Sequence, residues 1–582
     1  MSCFLQSVGQ IDARRGHVTT IGQNQYNIHL QHVDFTTKTE EDLVLARLKP
    51  IESPYIHPCM PGTRQWMIDK IHDWMGNHHG PNILWLSGSP GAGKSAVAST
   101  LVSTLQEAGQ LGSSFFCKRD DIALSDPAAC WRTIAFDLAQ YDPIIAHRIV
   151  ENIKGKRVDP RRADIESHFQ YLINDPLREF WRMHLANLRT NMEVDDEVNK
   201  RGTPLIAVVV DALDECGSDS SQYAQRQTFI NTIMKWSDLP KPFKLIVTSR
   251  DDRIPNSFRA VCHRLVLDTG DLAGPEAIND VRVFFAKHFA AIATQNHSLS
   301  PTWPGESIIE QLTSRAAGLF VWAETVVKFV EQGIPNRRLN SILRDQFCYG
   351  SGRLDGLYHQ VMNLSFQHAT DDELEIYKLV IGAVVFAKIP LRQQDLRYFL
   401  GRDEEEASIT CVLMNLSSVI STNAVDGCIH ISHLSFADFI CDHNRCGERF
   451  VIRRDIHDRI MALACLQCMQ TELRFNICQL ETSHVRNVDV PNLASCIERF
   501  IPTRLTYSCR FWSDHLDTAT IDAQVAESVK YFLHTQFLFW LEVLSLIKEV
   551  SVASQILMSI RKLLGVSPSK VWHYLILKYN CD

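Results

Sequence analysis

The stretch ILWLSGSPGAGKSAVASTLVSTL, residues 83–105, restricts the folds open to this chain more than any other. Its first residues read as a buried strand and its last as a helix. Between them Gly88-Ser89-Pro90-Gly91-Ala92-Gly93-Lys94-Ser95 fits the pattern GxxxxGK[ST]. Average composition would produce that pattern by accident in about two chains in a hundred of this length. A glycine-rich loop leaving a strand and entering a helix lets the backbone wrap a phosphate, while its amides and the helix N-terminus face negative charge. Lys94 then reaches the β and γ phosphates, and the Ser95 hydroxyl ligates magnesium. All eight residues are therefore candidate ligands of ATP or ADP, with Mg2+ as the accompanying ion.

A phosphate loop needs a second site, an acidic residue at the end of a neighbouring buried strand that holds Mg2+ through its water shell. The uninterrupted β-rich run PLIAVVV at 204–210 is such a strand, and Asp211 follows it. The continuation Asp211-Ala212-Leu213-Asp214-Glu215 adds two carboxylates within one short turn, either of which could polarise the attacking water. Asp214, Glu215 and Lys94 are the candidate catalytic residues; Ser95 and Asp211 are the candidate metal ligands. Arg250 closes the next strand, KLIVTSR, where ligands of an open parallel sheet gather, and so is placed to sense a γ-phosphate.

At 582 residues the chain is too long for one core, and about 100 to 200 residues per domain suggests three to five units. At least five apolar strands (near 83–87, 113–117, 204–210, 244–248 and 262–267) alternate with helical stretches, which implies a parallel sheet sandwiched by helices. Beyond about residue 270 the pattern is mostly helical, without the periods of repeat arrays. Residues 1–50 stand apart: VTTIGQNQYNIHLQHV at 18–33 has no helical period and reads as a strand, a hairpin or a flexible tail.

Fifty-nine basic against 67 acidic residues give a net charge of −8, which argues against a dominant attraction to nucleic acid or an anionic membrane. The basic run KGKRVDPRR at 154–162 reads as a solvated loop. Seventeen cysteines without framework spacing, and an N-terminus lacking a secretory pattern, point to a reducing, cytoplasmic setting with free thiols. Cys465 and Cys468 lie in an apolar helical run, so core packing is expected rather than zinc; the loop pair His78 and His79 is expected to be exposed. The apolar stretch 532–547 is interrupted by Glu542 and falls short of the roughly 20 residues a membrane span needs.

The string Asp-[Ala/Gly/Ser]-apolar-Asp-Glu after a hydrophobic strand, joined to the phosphate loop and the TSR strand, resembles the NACHT subgroup of STAND ATPases rather than NB-ARC. The chain is further similar to fungal NACHT proteins, also labelled nephrocystin-like. Cys59-Met-Pro-Gly-Thr-Arg64, Phe115-Phe-Cys-Lys-Arg119, Thr133-Ile-Ala, Gln170-Tyr-Leu-Ile and Ala317-Gly-Leu-Phe-Val-Trp-Ala323 carry that likeness. The resemblance implies an α/β P-loop NTPase core at 51–270, a helical domain at 271–370, a winged-helix domain at 371–450 and a C-terminal helical domain at 451–582. His433, in Ile429-His-Ile-Ser-His-Leu-Ser-Phe-Ala-Asp-Phe439, matches the winged-helix histidine that contacts the ADP β-phosphate in related proteins. Two departures stand out. Phe320 takes the place where some relatives pack a proline on the adenine, and the chain ends at Asp582 without the repeats that follow YSCRFW and WLEVLSL in similar chains.

The resemblance implies a signalling switch in a fungal-type recognition or programmed-death pathway. ADP holds the winged helix closed, ATP exchange opens it, the protomers self-associate toward an unknown effector, and hydrolysis is slow. A hydrolytic motor or phosphotransferase, with a substrate insertion hidden in 142–201, is one alternative; a nucleotide-stabilised scaffold that never switches is another. The TTIGQNQYNI section also vaguely resembles short amyloid-forming signalling motifs, since an exposed Gln/Asn-rich strand can template pairing with another chain.

Overall fold

A computed structural model describes residues 40–564, apart from 78, 120, 192–204, 218–222, 251–253, 345–351, 402–405, 424–426 and 483. The Gln/Asn-rich stretch 18–33 and His78 lie outside the described residues. Five strands, β1 (Ile83–Gly88), β2 (Leu111–Phe116), β3 (Ile206–Asp211), β4 (Phe243–Ser249) and β5 (His263–Leu267), form one sheet in the order β2-β3-β4-β1-β5. Every pairing is parallel, with Val208 opposite Leu245 and Leu86 opposite Thr248.

The three inner strands, β1, β3 and β4, are buried at every position because both faces of the sheet are covered, whereas the edge strands β2 and β5 are only partly buried. On β3, Ile206, Val208 and Val210 enter one core with Trp131, Ile134, Leu138 and Phe229. Ala207 and Val209 enter the other with Val97, Ala98, Leu101 and the helix Gln65–Gly76. This two-residue alternation fixes the carboxyl ends of β1, β3 and β4 side by side, which is where the chemistry-bearing residues stand.

The described end of the N-terminal unit is helical. Glu40–Leu45 carries three acids in its first turn, buries Val44 and Leu45, and is paired with the helix Pro143–Lys154 through Lys154 Nζ at 3.0 Å from Glu40. Within 142–191 the chain is a helical layer whose Ile145, Ile149, Phe169, Leu172 and Leu177 are buried against the sheet's core. The basic run at 154–162 is a surface turn, with Arg161 paired to Asp159 at 3.1 Å.

After β5 the chain is mostly helical. Helices Pro275–Gln295, Glu306–Ala316, Phe320–Glu331, Pro335–Arg344 and Arg353–Ser365 share a core of Phe285, Phe289, Leu312, Trp322 and Val326. Helices Asp371–Phe386, Gln393–Leu400 and Glu406–Asn415 lead into an antiparallel hairpin, β6 (Ile420–Thr422) and β7 (Ile429–Ile431), and then helix Leu434–Ile440. One apolar core runs from Tyr358 to Ile560 through both this module and the later helices. Cys465 and Cys468 are fully buried in it, as core packing requires, and no cysteine among the described residues is in a disulfide. Among the described residues no helix is long and apolar enough to cross a membrane.

Candidate functional site

The phosphate loop takes its shape from two glycines with positive φ. Gly91 (φ +80°) and Gly93 (φ +92°) bend the chain between β1 and the helix Lys94–Glu107, with Pro90 half-buried at the bend and Ala92 fully buried beneath it. Ser89 Oγ lies 2.6 Å from Thr269 Oγ1 just beyond β5, which ties the loop to the sheet's edge. Lys94 Nζ curls into the loop and donates to the carbonyls of Gly88 (2.9 Å) and Ser89 (3.0 Å). Burial lowers its pKa from the ordinary lysine value, opposed chiefly by the charges of Asp214 and Asp211.

At the end of β3 the chain enters a left-handed turn at Ala212 (φ +53°), which accounts for the small residue there, and Leu213–Glu215 forms a single tight turn. Asp211 is 2% exposed and accepts from Thr248 Oγ1 at 2.5 Å and from the Ser95 hydroxyl. Burial raises its pKa, and those hydrogen bonds with the Lys94 charge oppose the rise. Thr248 in turn accepts the Ala212 N–H at 2.9 Å, so one hydroxyl fixes both the metal-ligand candidate and the turn. The juxtaposed Ser95 and Asp211 oxygens, with Lys94 turned inward beside them, fit a magnesium nucleotide.

The two carboxylates of the turn have different surroundings. Asp214 accepts the Arg250 N–H at 3.1 Å and faces Arg250 Nε at 3.2 Å, so it is committed to that arginine. Glu215 accepts only a backbone N–H, from Arg119 at 3.2 Å, among its hydrogen-bonded contacts in the described residues. Burial, with the Asp214 charge adding to it, pushes its pKa up to about 8.

His433 also reaches this cleft, from the N-cap of helix Leu434–Ile440. Its Nδ1 accepts the Ser435 N–H at 3.1 Å and lies 2.6 Å from Ser435 Oγ, itself 2.8 Å from the Tyr358 hydroxyl. Because Nδ1 is an acceptor, the neutral ring carries its proton on Nε2. Burial, reinforced by the charges of Lys94 and Arg250, lowers the His433 pKa to about 4. The structure thus brings together every residue named for the site from sequence, the loop 88–95, Asp211, Asp214, Glu215, Arg250 and His433.

Sequence reasoning missed Asp438, Arg119 and Arg64. Asp438, one turn into the helix that His433 caps, accepts from Arg250 Nη1 at 3.0 Å and from Arg119 Nη1 at 3.2 Å. Burial alone would raise its pKa, but the two arginines outweigh it and hold the carboxyl below its ordinary value. Arg64 is 2% exposed and donates to Ala92 O in the loop (2.8 Å) and to Gly318 O (3.3 Å), with its guanidinium 4.8 Å from the Phe320 ring. Phe320 therefore packs on a buried arginine, and the Val321 N–H donates to Gly91 O at 3.3 Å. These residues fall in the quoted CMPGTR, FFCKR and HLSFADF stretches, which was the available signal.

Residues 62–250 match the family model described as Nephrocystin 3, N-terminal. The nephrocystin-like resemblance read from the sequence is borne out over that segment, which holds the phosphate loop, the acidic turn and Arg250. Over 542 residues the chain is 22% identical to "Vegetative incompatibility protein HET-E-1" of Podospora anserina, covering 86% of this chain and 36% of that protein. The chain thus spans about a third of that relative's length. Among solved structures, Drosophila ORC bound to DNA matches with a TM-score of 0.28 at 13% identity, covering 72% of this chain and 95% of that one. The Aeropyrum pernix ORC2 protein in its ADPNP-ADP complexes matches at 0.27 and 12%, covering 68% and 94%. A Thermotoga maritima RuvB mutant matches at 0.21 and 11%, covering 64% and 92%.

Proposed function

We propose that the chain is a NACHT-type nucleotide switch in which ADP holds a winged-helix module, residues 371–450, against a P-loop core at 51–270. One observation supports this above the others. His433 and Asp438 of that module lie in the nucleotide cleft, beside Lys94 and on Arg250. A motor or a scaffold does not require a distant module to supply side chains to its phosphate site.

In this reading the loop 88–95 holds the phosphates, Ser95 and Asp211 hold the magnesium, and His433 Nε2–H donates to a phosphate of ADP. Bound magnesium supplies charge neutralisation at the phosphates. Asp214, engaged by Arg250, orients that arginine, which leaves Glu215 as the carboxylate able to accept a proton from water. Its raised pKa keeps much of it protonated near neutral pH, in keeping with slow turnover. A nucleotide moves a closed-open equilibrium only by its differential affinity, about 5.5 kcal/mol for a swing from 1:99 to 99:1. Phosphate contacts made by Lys94, Arg250 and His433 in one state alone supply such a difference. Opening then permits self-association toward an effector, in a cytoplasmic recognition or programmed-death pathway of the kind the relative's name suggests.

The test is the nucleotide content of gently purified protein, with steady-state hydrolysis and a Lys94→Ala control. Near one ADP per chain, turnover far below the usual range of about 1 to 10³ s⁻¹, and assembly on ATP addition are expected. An empty site with rapid Lys94-dependent turnover refutes the switch in favour of a working ATPase; retained ADP without ATP-dependent assembly refutes it in favour of a scaffold.

A further inference from the structure

Among the described residues, Asp438 is the carboxylate of 371–450 that pairs with arginines at the ends of the sheet's strands. It bridges Arg250, which follows β4, and Arg119, which follows β2, although the strand that supplies Asp211 lies between those two. Arg119 also borders the cleft, since its backbone N–H donates to Glu215 at 3.2 Å. Its Nε and Nη2 are buried and without a hydrogen-bond partner among the described residues, so the guanidinium has donors beyond those that Asp438 uses. Two arginines converging on one carboxylate are an anion site, with the geometry that also suits a phosphate. A neighbouring contact, Lys118 Nζ to His430 Nδ1 at 3.2 Å, comes from the same FFCKR segment and reaches β7. The end of β2 thus carries one edge of the docking surface.

We propose that Arg119 and Arg250 form an anion site for the terminal phosphate of a nucleoside triphosphate, and that Asp438 is its tethered competitor, occupying it while the module is docked. This rests on the switch reading and adds to it a second phosphate-reading arginine and the group a triphosphate must displace. A diphosphate lacks the competing group and leaves the Asp438 contact in place. A triphosphate takes over the two guanidinium groups, and the helix Leu434–Ile440 loses its anchor to the core.

Hydrogen–deuterium exchange on the full chain tests this, following peptides within 429–440 for the wild type, Asp438→Asn, Arg119→Ala and the double variant. With ADP bound, Asp438→Asn is expected to speed exchange there about tenfold, the worth of two partly solvated charge-assisted hydrogen bonds. Arg119→Ala should speed it less, and the double variant no more than Asp438→Asn alone. The concentration of a non-hydrolysable ATP analogue that half-opens 429–440 should fall about tenfold in Asp438→Asn, while Asp438→Glu should stay near wild type. Exchange within twofold of wild type in Asp438→Asn, or multiplying effects of the two single variants, overturns the proposal. So does faster exchange with an unchanged analogue midpoint, which makes Asp438 an anchor and no competitor. Arg119→Ala lies outside the module, so it decides the matter should Asp438→Asn disturb the helix itself. If ADP and the analogue give the wild type identical exchange, the switch reading fails, and the effect of Asp438→Asn in the ADP state still judges the Asp438 contact.

Discussion

Replacing Glu215 by glutamine should stabilise the nucleotide-free protein, and by more as the pH rises. Glu215 has an ordinary pKa of 4.5 and one of about 8 in the fold, because burial and the Asp214 charge disfavour its ionised form. A carboxyl whose folded pKa is raised gives stability that is fully present below about pH 4.5 and is lost as the pH climbs toward 8. At about 1.36 kcal/mol per pH unit, the loss reaches about 2 kcal/mol at pH 6 and about 4 kcal/mol at pH 8. Glutamine keeps an oxygen to accept the Arg119 N–H and carries no charge, so it removes the loss at little other cost. Thermal unfolding of the two proteins in parallel from pH 5 to 8.5 reads the difference. For a unit of 150–250 residues it should grow to roughly 8–15 °C at the alkaline end. A constant offset across that range, or a Glu215→Gln protein less stable at pH 8, would refute the assignment of a buried, charge-crowded carboxyl.

His433 should act in the opposite pH window. Its folded pKa of about 4 lies below the ordinary 6.5, so its contribution is present above 6.5 and lost on acidification, by about 2 kcal/mol at pH 5; a His433→Asn protein, which can still cap the helix, should show a flatter acid limb in the same unfolding series, and an unchanged limb counts against it. Thr248→Val should cost about 2–3 kcal/mol, because it removes one of the two hydroxyl partners of Asp211 and strands the Ala212 N–H, whereas Thr248→Ser should be near neutral; chemical denaturation with magnesium-dependent nucleotide affinity checks both. Gly91→Ala should be destabilised by about 2–5 kcal/mol, since an alanine there pays for a left-handed φ and its methyl lands 2.0 Å from Val321 Cγ1. Adding Val321→Ala removes the Cγ1 clash but keeps a Cβ 2.8 Å from the new methyl, so it should recover only part of the loss; no recovery at all would mean the loop and the helix Phe320–Glu331 do not pack as described.

The parts of this molecule that were legible in the sequence are those set by local chemistry. The five strands show as apolar runs because both sheet faces are buried, and the loop 88–95 shows because only glycine tolerates the φ angles at 91 and 93. Asp211, Asp214 and Arg250 are readable for the same reason: Asp211 ends β3, Asp214 lies in the turn that follows it, and Arg250 is the first residue after β4. Asp438 is different. It sits on a short helix as a single acid among apolar neighbours, and its partners are 188 and 319 residues away. No spacing rule connects them, so the pairing becomes visible only once the two modules are placed together. Glu215 and Asp214 are adjacent carboxylates in sequence, and only the fold separates them, by giving one an arginine and the other a desolvated pocket. The helix at 40–45 was obscured by its neighbours, since six residues are too few to establish a period against a polar leader.

In the proposed switch the balance of charge in the cleft gives a reason for one carboxylate to come from the 371–450 segment. Lys94, Arg119 and Arg250 face Asp211, Asp214, Glu215 and Asp438, and the raised pKa of Glu215 leaves three cations against three anions in the docked state near neutral pH. Buried charge is tolerated only where it is paired, so this set is balanced with the module closed. Additional phosphate charge at the arginine end upsets the balance unless a carboxylate withdraws. Asp211 and Asp214 are fixed to the ends of β3 and β4 and cannot move without disturbing the sheet. In the proposed switch Asp438 alone among the four moves with the 371–450 segment, so that its departure would remove one negative charge and expose two guanidinium groups to the incoming phosphate. In the proposed switch the positions of these charges would set which ligand favours which state, and a chain with Asp438 neutralised should behave as though the triphosphate had already begun to bind.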